Sequence, residues 1–149
     1  MRSTAAALLF CFAAAATAAT FPVDDSQSLP REGNVNMEWR SLAPNRAVGH
    51  AIDGRMVVTL RLNTAPWINR NGKIYMVLPE QSIGEVTAEW TTQGRLLPGR
   101  IVSGNRALVY AGPIRTNILE DTIALRISAD GRRLEASQRL QFNFEIDVE

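Results

Sequence analysis

From residue 35 onward the chain alternates apolar and polar positions with a period of two. Val35, Met37 and Trp39 fall on one face, with Asn36, Glu38 and Arg40 opposite. Met56, Val58, Leu60 and Leu62 repeat the pattern, as do Ile74, Met76 and Leu78, and then Val86, Ala88 and Trp90. Residues 106–111 and 122–128 add two more runs. In the last run, 139–149, every second residue is apolar: Leu140, Phe142, Phe144, Ile146, Val148. On a helix such a row would scatter around the axis; on a strand it builds one buried face.

Between the runs stand residues tolerant of positive φ: Asn71-Gly72, Gln93-Gly94, Pro98-Gly99, Ser103-Gly104-Asn105 and Asp130-Gly131. Asp130-Gly131 reads as a hairpin between the 122–128 run and the final strand, and Thr116–Leu119 as one short helical turn. Turns about every ten residues predict an all-β fold. The expected architecture is an immunoglobulin-like antiparallel β-sandwich of seven to nine strands over residues 34–149, with a small β-barrel as the alternative.

The N-terminus has a different grammar. One charge, Arg2, precedes a run of apolar and small residues containing Leu8, Leu9, Phe10 and Phe12, and the exit is Ala16-Thr17-Ala18-Ala19. This is the layout of a secretory signal peptide over residues 1–19, cleaved near Ala18-Ala19. The run is too short to span a bilayer. Residues 20–33 hold two prolines and Asp24-Asp25 without a sustained period, which reads as an extended or mobile leader; within it only Phe21 and Val23 are in phase.

Composition narrows the chemistry. The one cysteine, Cys11, leaves with the signal, so the mature chain has no disulfide and no thiolate. Of sixteen basic residues Arg2 also leaves, so fifteen face fifteen acidic ones. A neutral domain gives no electrostatic case for nucleic acid. His50 is the only histidine, and zinc sites and nucleophilic triads rest on histidine with companions. It reads as a surface or hydrogen-bonding residue. Glu145, Asp147 and Glu149 share one strand face at spacings of about 6.5–7 Å. They read either as a cation or paired-carboxylate site, or as a solvated face opposed by Arg126 or Arg133. Trp39 and Trp90 read as core.

The most distinctive loop is 64–72, where Trp67, Ile68 and Arg70 flank a proline and a turn. Either Trp67 is an exposed recognition anchor, or it folds back and plugs one end of the sandwich. The leader adds Phe21 and Val23 as candidate contact residues. In body plan the chain resembles the sandwich subunits of bacterial pili and fibres, in which an N-terminal extension completes a neighbour's sheet. The expectation is therefore a non-enzymatic, exported structural or interaction subunit of a surface or envelope assembly, without catalytic residue, metal or cofactor. Its partners would be proteins: an assembly subunit, a chaperone or an envelope component. The alternative is a soluble periplasmic binding or inhibitor module acting through loop 64–72.

Overall fold

The computed structural model describes residues 18–30, 37–39, 50–82, 84–133 and 140–149. Residues 1–17, which the sequence reading gives to a signal peptide, lie outside these residues, as does the side chain of Trp39. Among the described residues ten strand segments run in chain order: β1 (Ala19–Val23), β2 (Leu29–Pro30), β3 (Met37–Trp39), β4 (Ala51–Asn63), β5 (Asn71–Leu78), β6 (Val86–Thr92), β7 (Gly99–Val102), β8 (Asn105–Pro113), β9 (Ile118–Asp130) and β10 (Asn143–Val148). β2 and β3 have only two and three residues; the other eight carry the fold.

All pairings are antiparallel and form two sheets. Sheet A has the order β1-β10-β5-β8; sheet B has β2-β4-β9-β6-β7, with β3 also on β4. The inward rows of both sheets belong to one hydrophobic cluster, so the arrangement is that of a β-sandwich. Sheet A contributes Ile74, Met76, Leu78, Val109, Phe144, Ile146 and Val148; sheet B contributes Leu60, Leu62, Val86, Ala88, Trp90, Ile123, Leu125 and Ile127. These are the phases that the alternation predicts.

Two departures follow from how strands choose partners. β9 ends at Asp130, but β10 is not its hairpin mate. Both edges of β9 are taken, by β4 along thirteen residues and by β6, so the chain crosses to sheet A instead. The expected helical turn at 116–119 is also absent. Thr116 and Asn117 form a bend, β9 starts at Ile118, and Glu120 and Asp121 lie within it.

A bulge in β8 shapes sheet A. Ile74 pairs with Tyr110 and Tyr75 with Leu108, which leaves Val109 as the extra residue. Val109 is fully buried, and its carbonyl accepts the Leu97 N–H at 2.7 Å. The bulge thus keeps Arg106 and Leu108 on the outer face while the next residue enters the core. On the far side of the sandwich the leader joins the layers. It pairs along β10 as β1, turns at Asp24–Ser28, and pairs with β4 as β2. No helix among the described residues is long and apolar enough to cross a membrane.

Candidate functional site: the seam under the leader strand

β1 is the edge strand of sheet A, with Ala19 opposite Val148, Phe21 opposite Ile146 and Val23 opposite Phe144. Its inward row is therefore Ala19, Phe21 and Val23. Val23 is buried in the shared core, whereas Phe21 stays 41 % exposed. The Phe21 ring rests on Trp67, with centroids 6.2 Å apart and planes tilted by 39°, a favourable aromatic geometry.

Trp67 ends a short 3-10 turn, Ala65–Trp67, whose start is set by Pro66. It is 8 % exposed, so of the two readings of this residue the structure has the plug. The loop that carries it is fastened to the segment before β9. Thr64, fully buried, donates its N–H to the Asn117 carbonyl at 2.8 Å and its hydroxyl to the Thr116 carbonyl at 2.7 Å. Asn69 donates to Ile114 at 2.9 Å and Ile114 back to Arg70 at 2.8 Å. The reversal needs a left-handed residue, and it is Asn69 (φ 65°) rather than Gly72, which lies inside β5. Ile68 is half-buried against the core. Arg70 is exposed and donates to the Glu149 carbonyl at 3.2 Å. Phe21 and Trp67 thus form a seam, Ile68 and Arg70 follow Trp67 in the same loop, and Val23 is buried two residues along β1, opposite Phe144.

The outward side of β1 adds residues that sequence reasoning misses. The Thr20 hydroxyl donates to the Asp147 carboxylate at 2.6 Å. Arg106, on β8, stacks over the Tyr75 ring at 4.1 Å and reaches Asp147 at 3.2 Å and Glu145 at 3.7 Å. The carboxylate row of β10 is therefore opposed by Arg106, not by Arg126, because β10 and β9 lie in different sheets; the side chain of Arg133 lies outside the described residues. Among the described residues no three His, Cys, Asp or Glu side chains gather as a metal cluster. The only signal for Thr20–Asp147 in the sequence is the alternation that turns Asp147 outward; its partner is 127 residues away.

These contacts, the Thr20 hydroxyl foremost, hold the Asp147 carboxyl below the usual carboxylate range, with Arg106 and Lys73 adding attraction. A depressed folded pKa means stability that is present above the unfolded value and lost as pH falls through the folded one. Replacing Thr20→Val should cost about 1 kcal/mol at pH 7. That difference should narrow as pH falls below the unfolded carboxyl value of about 3.9 and go on shrinking toward the lower folded one, as Asp147 becomes protonated in both states. Urea titrations of the two proteins at pH 7 and pH 3 check this; an equal gap at both values would refute it.

His50 lies at the other end of β4, where its carbonyl accepts the Gly131 N–H at 2.8 Å. A concave surface, about 780 Å³, opens on the outer face of sheet B. There the register aligns Arg55, Arg126, Glu89 and Arg100 in one row. Arg126 is tied to Asp53 at 2.8 Å and Arg100 approaches Glu89 at 3.6 Å. No protein-family model, curated protein or solved structure matches this chain.

Proposed function

We propose that this chain is an exported, non-enzymatic protein that serves as a structural or interaction subunit of a bacterial surface or envelope assembly, of the pilus or fimbria kind. In this reading residues 1–19 are a signal peptide cleaved near Ala18-Ala19, the mature chain resides in the periplasm or at the cell surface, and the sandwich is immunoglobulin-like. One observation carries the proposal: the segment directly after the signal is itself the edge strand of sheet A, laid along the apolar row of β10. An edge completed by so short a strand is the kind of surface on which strand addition works, main-chain bonds giving affinity and alternate side chains giving specificity. The partner is then a protein; the balanced charge offers nothing to nucleic acid.

A second reading, a soluble periplasmic binding or inhibitor module, has the rigidity of loop 64–72 in its favour. Four hydrogen bonds fasten that loop, and a pre-ordered loop loses little entropy on binding.

The test is cross-linking of the full chain in intact cells, beside a chain lacking residues 21–33. The full chain should enter complexes of high mass in the envelope fraction. The shortened chain, exported and folded but less stable for want of Val23, should not. Equal cross-linking of the two, or none by either, would sink the assembly reading.

A further inference from the structure

Register lays out the outer face of sheet B. Arg55 of β4 stands opposite Arg126 of β9, Arg126 opposite Glu89 of β6, and Glu89 opposite Arg100 of β7. The four side chains form one row across four strands, with neighbours about 4.8 Å apart. Two residues further along β4, β9 and β6, the same face carries Val57, Ala124 and Thr91, each opposite the next. Short side chains there, beside the long ones of the row, make the trough of about 780 Å³.

The charges of the row do not balance. Asp53 takes Arg126 at 2.8 Å and is itself braced by the Ser128 hydroxyl at 2.6 Å. Glu89 lies 3.6 Å from Arg100. These two carboxylates serve two guanidiniums. Arg55 is exposed and has no ion pair among the described residues. It directly faces Arg126, and like charges opposite each other on one sheet face repel. An anion lodged between the two would remove that repulsion. Arg126 has donors to spare for it. Asp53 engages its Nη2, and a guanidinium carries five N–H groups in a fork that matches a carboxylate.

We infer that this trough binds a small organic acid with an apolar body and a single negative charge. The acid group lies between Arg55 and Arg126, and the body rests on Val57, Ala124 and Thr91. The volume falls within the roughly 300–1,000 Å³ of small-molecule sites, which combine an apolar lining with a few orienting polar groups. The single charge follows from the row itself, where three guanidiniums face two carboxylates. The site is on the other sheet from β1 and β10, so it stands or falls apart from the assembly reading.

The probes are 2-naphthoate, one carboxylate on an apolar body, and its uncharged amide, 2-naphthamide. Calorimetric titration of the purified chain should give one-to-one binding of the acid with Kd below about 1 mM, and binding about tenfold weaker for the amide. Backbone amide resonances of Val57, Thr91, Ala124 and Arg126 should shift with the acid. Arg55→Gln should lower the affinity for the acid to that for the amide. It should melt no earlier than the wild type, because it also ends the repulsion with Arg126. Arg55→Lys keeps the charge but not the fork, and should fall between the two. Ala124→Leu raises the floor and should weaken acid and amide alike. Binding of the acid too weak to saturate in that range overturns the inference, as does equal affinity for acid and amide. An Arg55→Gln protein that binds the acid like the wild type overturns it, and so do resonance shifts confined to residues outside this face. Tighter binding of the dianion 2,6-naphthalenedicarboxylate would overturn the single-charge rule, since Asp53 and Glu89 would then not be setting the charge of the ligand.

Discussion

Trp67→Ala should unfold the protein about 10–15 °C earlier, a loss of about 3–5 kcal/mol for emptying a buried indole site. The ring is 8 % exposed, sits in a loop held by four hydrogen bonds that cannot collapse into the void, and carries Phe21 on its face. The substitution therefore leaves a cavity and also removes the shelf on which the leader rests. Phe21→Ala, at a ring that is 41 % exposed, should cost about 1 kcal/mol, the share of an aromatic pair on a half-open surface. Thermal melts of the two variants check the ranking. A Trp67→Ala protein that melts with the wild type while losing a partner would restore the tryptophan as an exposed anchor.

The second large effect should come from Asp121. It occupies an inward position of β9 and is 5 % exposed. Its carboxylate accepts the Leu96 N–H at 2.8 Å, the Gln93 N–H at 3.3 Å and the Thr122 N–H at 2.7 Å. The first two pin the β6–β7 loop, which in turn places the Leu97 carbonyl 2.9 Å from the Trp90 indole N–H and presses Gly99 against the indole ring. Asp121→Ala strips an acceptor from these donors, and each buried orphan costs about 1–3 kcal/mol, so about 3 kcal/mol in all is expected. Asp121→Asn keeps one acceptor oxygen and should lose about half as much. Hydrogen exchange at Leu96 and Gln93 should quicken in the alanine variant before global unfolding. Urea titration together with exchange at those amides tests it, and unchanged protection would show that the loop is held by other means.

The inward face of nearly every long strand is legible in the sequence because a period-two row needs only local information. Met56 to Leu62, Ile74 to Leu78 and Phe144 to Val148 could be phased without a partner in view. What fails is whatever depends on a residue far along the chain. Nothing local marks Asp121 as an inward strand residue, since the pair Glu120-Asp121 resembles turn chemistry; it is tolerated there only because three backbone donors converge on it. Asp130-Gly131 has hairpin chemistry, but pairing is decided by which edges are vacant, and β9 has none. The candidate site was partly readable. Phe21 and Val23 are in phase, and the oddity of Pro66-Trp67 is local. That the two meet over β10 is a property of the fold.

Sheet A also bears on the order of events in the chain's life. Its second strand, β10, is made by residues 143–148 and separates β1 from β5. A chain emerging from its N-terminus can fold back β4, but β1 has nothing to lie on and β5 keeps an unpaired edge until residue 148 is available. Pairings of such long sequence separation make folding slow. Under the proposed export, lateness is useful: the sheet that would jam passage through a membrane cannot close until residues 143–148 have also crossed.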